Sequence, residues 1–335
     1  VEQGNLKVLV IRRGALGDVI QVAACFDQVR VQRPEVEIHV LTDRSCFPLL
    51  ERMGSVSKLH EWPRDTDPIG YSATLTAART IKAEKVDLII NLMPAVKSKL
   101  IAWYCKVPSE VLKKKRFTER GSVLRNMQTS HVAHEYFETF QRALGLFPLG
   151  RESLVPVIQA DPNKGSTCAN RMAIGLVLGV APKRQNKAWP IERFLKLSKM
   201  LLQEFDCEVI LIGGKRECEL ARSFPSDERI QNRIGLELSE SIAEMQKCSI
   251  VVGADTGPTH IATALGVPVV MCFGPTSASR TGPLGTGTVI RPPEEMLCWP
   301  CERRKCPLRG DAFQQCMRSI SVSDVFEACR TILGG

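Results

Sequence analysis

The stretch Val251-Val252-Gly253-Ala254-Asp255-Thr256-Gly257-Pro258-Thr259-His260-Ile261-Ala262 decides the fold of this chain. It reads as a buried strand that ends in a loop of small residues and opens a helix. Pro258 suits the first helical turn, where its missing N–H costs nothing, and Asp255 or Thr256 can cap it. Such a helix start presents backbone N–H groups and the positive end of a dipole, the physical requirement for holding a phosphate. Gly257 lets an anion approach the backbone closely. Leu265-Gly266-Val267-Pro268 then turns the chain into a second apolar strand, Val269 to Phe273, closed by Gly274-Pro275-Thr276. Strand, anion loop, helix and strand make half of a nucleotide-binding α/β unit. On these residues alone a bound diphosphate and a ligand-free helix cap both stay open.

A second loop of the same type lies near the start. Leu6 to Ile11 is a short apolar strand, followed by Arg12-Arg13-Gly14-Ala15-Leu16-Gly17-Asp18 and an amphipathic helix to about Arg33. The GxGxxG spacing is absent, and no GK[ST] follows, so neither the dinucleotide fingerprint nor a Walker A loop is present. What remains is a glycine turn that sets one carboxylate, Asp18, at a helix start. A plain acidic residue complementing the dipole is the bland alternative.

Between and around these loops, strand and helix alternate. Further strands are expected at Glu37 to Leu41, Lys58 to Glu61, Val86 to Asn91, Ala173 to Leu178, Glu208 to Ile212 and Ser249 to Val252. Helices are expected at Pro190 to Phe205 and Ser239 to Gln246. The alternation argues for doubly wound α/β domains with parallel sheets, ligands lying at the carboxyl ends of the strands. Pro148 to Lys164 reads as the region between two domains, 1–160 and 161–335.

The 335 residues suffice for two cores, and no apolar run reaches 18, so no membrane-spanning helix is expected. No basic-then-apolar leader is expected. Thirteen cysteines, an odd number scattered through apolar segments, point to reduced thiols in the cytoplasm. The net charge of +9 implies an acidic partner: nucleic acid, an anionic membrane or a phosphorylated substrate.

The pattern strand-RxGALGD-helix, then GADTGPTH-x-A-x-ALG-x-P and FGPT in the second half, resembles the heptosyltransferases of lipopolysaccharide core synthesis, glycosyltransferase family 9. Leu178-Gly179-Val180-Ala181 followed by Lys187-Ala188-Trp189-Pro190 fits the family's glycine turn and K-x-W-P element, and the helix from Thr129-Ser130-His131 through Gly145 fits its segment ahead of the linker. The resemblance covers nearly the whole chain. It implies the GT-B fold, two Rossmann-like domains facing a cleft, the first binding the acceptor and the second the nucleotide sugar. The last helix, about Ser323 to Leu333, is allowed by the resemblance to pack back across the linker.

Implied too is an inverting transfer of heptose from an ADP-heptose donor to a phosphorylated lipid A-core acceptor, by a peripheral enzyme at the inner face of the inner membrane. Asp18 stands where the family has its catalytic base, and Lys187 is the candidate clamp on the leaving diphosphate. Gly17, Asp255, Thr256 and Gly257 fall among the donor contacts, the N–H groups of Thr256 and Gly257 on phosphate oxygens. His260 reads as a packing residue within reach of the diphosphate. Ala181 replaces a hydroxyl residue expected near the phosphates, leaving that bond to Lys183 or Gln185.

Glu217 follows Gly213-Gly214 after a strand, where a carboxylate can bind ribose hydroxyls or simply face solvent. Asp65-Thr66-Asp67 imitates a DxD metal motif but follows Pro63, and reads as a turn; transfer is expected to need no cofactor.

Cys298-x2-Cys301-x4-Cys306-x9-Cys316 is a separate constellation. The spacing suits a structural all-thiolate site for zinc or iron within the loop 298–316, and four free cysteines are the alternative. Residues 97 to 126 carry nine lysines and arginines against two glutamates. Lys113-Lys114-Lys115-Arg116 is the candidate acceptor contact at an anionic membrane surface, and a solvated face is the alternative. Few aromatics are interleaved, so no nucleic-acid partner is expected. The rivals are the same fold with another sugar or acceptor, including a protein; an NDP-sugar epimerase; and a non-enzymatic nucleic-acid binder.

Overall fold

In a computed structural model, the structure describes residues 5–63, 71–113, 130–160, 171–293 and 296–334. The chain divides into two units. Residues up to Arg116 together with Val132–Gln159 make the first, and Ala160 onward is the body of the second.

The first unit holds a five-stranded parallel sheet of β1 (Leu6–Ile11), β2 (Val36–Thr42), β3 (Lys58–Glu61), β4 (Leu88–Asn91) and β5 (Ser109–Val111), in the order β3-β2-β1-β4-β5. Val8, Leu9, Val10 and Ile11 are all fully buried, the mark of a central strand covered on both faces. Leu9 and Ile11 pack with Trp62 and with Ala77, Ala78 and Ile81 of the helix Ser72–Glu84. The long helix expected after β1 is two helices, Leu16–Ala23 and Phe26–Gln32. The Ala-Ala-Cys-Phe run that looked continuous is buried throughout, so the chain bends while staying inside the core.

The second unit holds six parallel strands: β6 (Met172–Val177), β7 (Cys207–Gly213), β8 (Ile230–Ile234), β9 (Ile250–Ala254), β10 (Val269–Cys272) and β11 (Gly287–Ile290). Their order is β11-β10-β9-β6-β7-β8. The core joins Ile174, Leu176, Val209, Leu211, Val252 and Val270 of the sheet to Phe194, Leu197 and Leu201 of the helix Ile191–Glu204. The last helix, Val322–Leu333, packs on this same core through Val325, Phe326 and Cys329.

Eight strands lie where the sequence placed them, within two residues at either end, seven as apolar runs and the edge strand β3 (KLHE) despite its polar residues. The three that sequence reading missed, β5, β8 and β11, are sheet edges. Their residues are half-exposed and polar (SEV, IQNRI, GTVI), because an edge strand needs no second apolar face.

Both strand orders reverse direction once. In the first unit the reversal lies between β1 and β4, and in the second between β6 and β9. At such a point the loops leaving the two strands diverge and open a crevice outside their carboxyl ends. The loops after β1, β6 and β9 therefore occupy ligand-binding positions in their own units.

Candidate active site

In the first unit, the loop after β1 depends on Gly14, whose φ of +130° lies in the region L side chains rarely adopt. Asp43, just past β2, fastens this turn: its Oδ2 accepts the Gly14 N–H at 3.1 Å and its Oδ1 accepts from Arg13 Nε and Nη2 at 3.0 and 2.7 Å. The turn delivers Asp18 to the first turn of the helix Leu16–Ala23. Its side chain is 52% exposed, and Oδ2 meets Arg12 Nη2 at 2.9 Å. Arg12 is held in turn by the Leu92 carbonyl at 3.3 Å and by the face of Tyr136. Asp18 is thus a fixed carboxylate that remains open to solvent, as a proton acceptor for a bound hydroxyl must be. Gly17 beside it is half-buried.

In the second unit the loop after β9 behaves differently. Gly253 allows the helix Gly257–Ala264 to lie close on the sheet: a Cβ there would fall 2.8 Å from Thr259 Cγ2 and 2.9 Å from Val177 Cβ. Thr256 is the N-cap residue, and Thr256, Gly257 and Pro258 are the accessible part of the loop. Asp255 does not cap. It turns inward, only 5% exposed, and its carboxylate gathers four donors. Oδ1 accepts from His260 Nε2 at 3.1 Å; Oδ2 accepts from Lys187 Nζ at 2.5 Å, Thr276 Oγ1 at 2.7 Å and Thr281 Oγ1 at 3.3 Å. An ionised carboxylate only accepts, so His260 Nε2 carries the hydrogen. Burial works to raise the Asp255 pKa, but the Lys187 charge and the His260 contact outweigh it and hold the carboxyl well below the usual carboxylate range.

Lys187 arrives from the loop after β6, through the short 3-10 segment Pro182–Lys187. Its ammonium also donates to the Asp255 carbonyl at 3.2 Å and is 13% exposed. The expected phosphate clamp is therefore held by an internal anion. Glu217, beyond β7, accepts the Gly214 N–H at 2.8 Å through Oε2, and its carboxyl lies so close over Gly179 that a Cβ there would overlap it. Glu217 and Gly179 thus sit together at the ends of neighbouring strands β6 and β7.

Lys113 is exposed; Lys114, Lys115 and Arg116 lie outside the described residues, as do Asp65, Thr66 and Asp67. Within the first unit, Lys99, Lys106 and Trp103 line an open groove of about 510 Å³ with Asn91 and Val111 at the ends of β4 and β5. Trp103 is 76% exposed.

The four cysteines come together: Cys298, Cys301, Cys306 and Cys316 line one hollow in the second unit. Burial pushes the Cys316 thiol up to about 12, with the three neighbouring sulfurs adding to the shift. Among the described residues, the set of potential ligand atoms within 4.8 Å of one another is His39, His60 and Glu84. That set is already satisfied, since His60 Nε2 contacts His39 Nδ1 at 3.1 Å and Lys58 Nζ holds both Glu84 oxygens at 2.8 Å.

Arg12, Arg13, Asp43, Thr276 and Thr281 received no role from the sequence. Arg12 and Thr276 lie inside the RxGALGD and FGPT motifs and could have been found there. Asp43 and Thr281 carry no local signal.

The family model described as glycosyltransferase family 9 (heptosyltransferase) matches residues 74–310. Lipopolysaccharide heptosyltransferase 1 of Campylobacter coli is 25% identical over 303 residues, covering 82% of this chain and 86% of that one. Lipooligosaccharide heptosyltransferase 2 of Haemophilus influenzae is 26% identical over 307 residues, covering 85% and 88%. The structure of E. coli ADP-heptose LPS heptosyltransferase II has the same fold, with a TM-score of 0.75 over 98% of both chains at 21% identity.

Proposed function

Because the chain belongs to glycosyltransferase family 9, the heptosyltransferases, it is a glycosyltransferase, and we propose that it moves a heptose from an ADP-activated donor to the inner core of lipopolysaccharide. The observation that carries the donor half of this reading is a convergence of three motifs. Lys187 of the K-x-W-P element, Asp255 of the GADTGPTH segment and Thr276 of FGPT meet in one hydrogen-bonded cluster beside the switch point of the second sheet. Nothing in a bare α/β scaffold requires these three to touch.

The roles follow from exposure and charge. Asp18, accessible and oriented by Arg12, takes the proton of the acceptor hydroxyl, which displaces the diphosphate directly and inverts the anomeric centre. The first-turn N–H groups at Thr256 and Gly257, with the Lys187 ammonium behind them, stabilise the charge developing on the leaving diphosphate. Asp255 and His260 hold that ammonium in place rather than touching the sugar. Glu217 is the candidate for the ribose hydroxyls. On the acceptor side Lys99, Lys106 and Trp103 offer cationic and apolar contacts to a phosphorylated sugar-lipid, beside the exposed Lys113.

The family match favours transfer over the epimerase and nucleic-acid readings. Among the described residues no helix is long and apolar enough to cross a membrane. The basic stretch from Lys97 onward supports a peripheral position on the anionic inner face of the inner membrane, where the acceptor would lie.

The test is a mass-shift assay with ADP-heptose and purified acceptors truncated before the first and before the second heptose. A gain of one heptose on one acceptor, abolished in Asp18→Asn, is the expected result. Absence of transfer to both acceptors, with ADP still bound, would overturn the lipopolysaccharide assignment and point to other sugars or acceptors.

A further inference from the structure

The four-cysteine loop is fastened to the donor cluster by hydrogen bonds of residues that lie between its cysteines. Glu302 and Arg303 follow Cys301. The Glu302 N–H donates to the Pro275 carbonyl at 2.8 Å, and Glu302 Oε1 accepts the Ser277 N–H at 2.8 Å. Those two bonds bracket Thr276, which donates to Asp255. The Arg303 carbonyl accepts from Asn186 Nδ2 at 2.9 Å and Arg184 Nη1 at 3.2 Å, and Gln314 Nε2 donates to the Gln185 carbonyl at 2.8 Å. These bonds grip the three residues immediately before Lys187. The loop therefore holds, from one side, both segments whose side chains meet at Asp255.

The hollow between the sulfurs measures about 20 Å³, room for one water-sized occupant. Three of the four sulfurs also face a peptide N–H: Arg303 at Cys301, Gln314 at Cys306 (3.4 Å) and Met317 at Cys316. Peptide N–H groups aimed at sulfur act as outer-shell support for a bound ion. Glu302 and Gln314, both at φ +53°, stand in the left-handed region that ordinary side chains avoid.

We propose that Cys298, Cys301, Cys306 and Cys316 bind one zinc or ferrous ion, and that this ion clips the 298–316 loop onto the segments that position Lys187 and Thr276 around Asp255. The second half of this statement rests on the donor-site reading given above. Binding releases the thiol protons to solvent and forms four metal–sulfur bonds of about 2.3 Å, which sets the sulfurs near 3.8 Å apart in a tetrahedron. Since the cysteines are not among the sets whose ligand atoms all lie within 4.8 Å, loading tightens the loop. The ion is structural: four protein ligands leave no position for substrate.

The experiment uses the full chain purified under reducing conditions. Elemental analysis should find about one equivalent of zinc or iron per chain, and its identity decides between the two. Cys301→Ser combined with Cys316→Ser should remove it, whereas Cys218→Ser, at an exposed cysteine elsewhere in the second unit, should keep it. A wild-type chain stripped with a chelator and reloaded with cobalt should give thiolate-to-cobalt charge-transfer bands, a readout that survives if the double variant does not fold. Titration of ADP should then show at least a tenfold weaker affinity in the stripped chain, restored on reloading.

A metal-free wild-type chain that also gives no cobalt spectrum would overturn the site. Full metal content in a folded double variant would do the same. Loss of metal with unchanged ADP affinity would overturn the clip. If neither the loaded nor the stripped chain binds ADP, the clip and the donor reading both fall, and the metal site is judged on the metal analyses alone.

Discussion

Asp18 and Asp255 occupy equivalent places: each follows a central strand of a parallel sheet, beside a glycine turn, at the point where strand order reverses. Their surroundings are opposite. Asp18 is half exposed with one cationic partner, whereas Asp255 is buried under an ammonium, an imidazole and two hydroxyls. A carboxylate with free lone pairs facing solvent can accept a proton from a substrate. One whose lone pairs are occupied by four internal donors serves instead to hold those donors still. Two similar stretches of sequence thus give their carboxylates opposite surroundings, largely through Lys187, Thr276 and Thr281, which lie outside both.

The largest test of this contrast is Asp18→Asn. Heptosyl transfer should fall about 10²- to 10⁴-fold while ADP affinity, read by calorimetry, stays unchanged. A variant retaining near-normal turnover would remove the distinction between the two aspartates. Asp255→Asn should act first on folding. Leaving Lys187 buried without its anion costs about 3–5 kcal/mol, a melting temperature lower by on the order of 10 °C. If this variant melts normally but fails in transfer, Asp255 touches the substrate after all.

Acid should separate the two units. His60 is buried beside His39, and burial together with the His39 charge lowers its pKa to about 4. A histidine held neutral in the fold is more readily protonated when unfolded. Its stabilising effect is therefore complete above about pH 6.5 and declines as pH falls toward 4, by on the order of 2–3 kcal/mol. Asp255 responds in the same direction over a lower pH window. Its folded pKa is depressed, so its contribution is complete above about pH 4 and is lost only below that. Hydrogen exchange followed peptide by peptide at pH 5 should accordingly show β2 and β3 loosening while β9 stays protected. Simultaneous loosening would show that the two groups do not set the acid response.

The smallest effect concerns Glu217→Gln. Losing a charged acceptor on the Gly214 N–H, and with it a candidate ribose contact, should raise the donor KM about 2- to 10-fold with kcat little changed. An unaltered KM would leave Glu217 as a capping residue only.

Much of this molecule was readable before any coordinates. The inner strands announce themselves as apolar runs such as Leu6–Ile11 and Ile250–Val252 because both of their faces are covered. The edges β5, β8 and β11 do not, because water or a loop completes them. The four cysteines could be grouped from spacing alone, and in the structure they line one hollow, with their sulfurs not all within 4.8 Å of one another. The partners of Asp255 could not be read. Lys187, Thr276 and Thr281 lie 68, 21 and 26 positions away, and only the sheet order brings them together. Sequence reading placed Asp255 among the donor contacts, because the cation that its carboxylate meets is not visible in the local sequence.

The Lys187–Asp255 contact has a last consequence. An ammonium group has three protons, and Lys187 commits two of them, one to the Asp255 carboxylate and one to its carbonyl. Any incoming polyanion can claim one proton freely, and further ones only by displacing the protein's own acceptor. The resident carboxylate is in effect a tethered competitor, and it sets a threshold. Stray phosphates that bring charge alone gain little from this lysine. On the proposed donor reading, a nucleotide sugar that also engages the helix start and Glu217 would gather enough additional interaction to shift the balance.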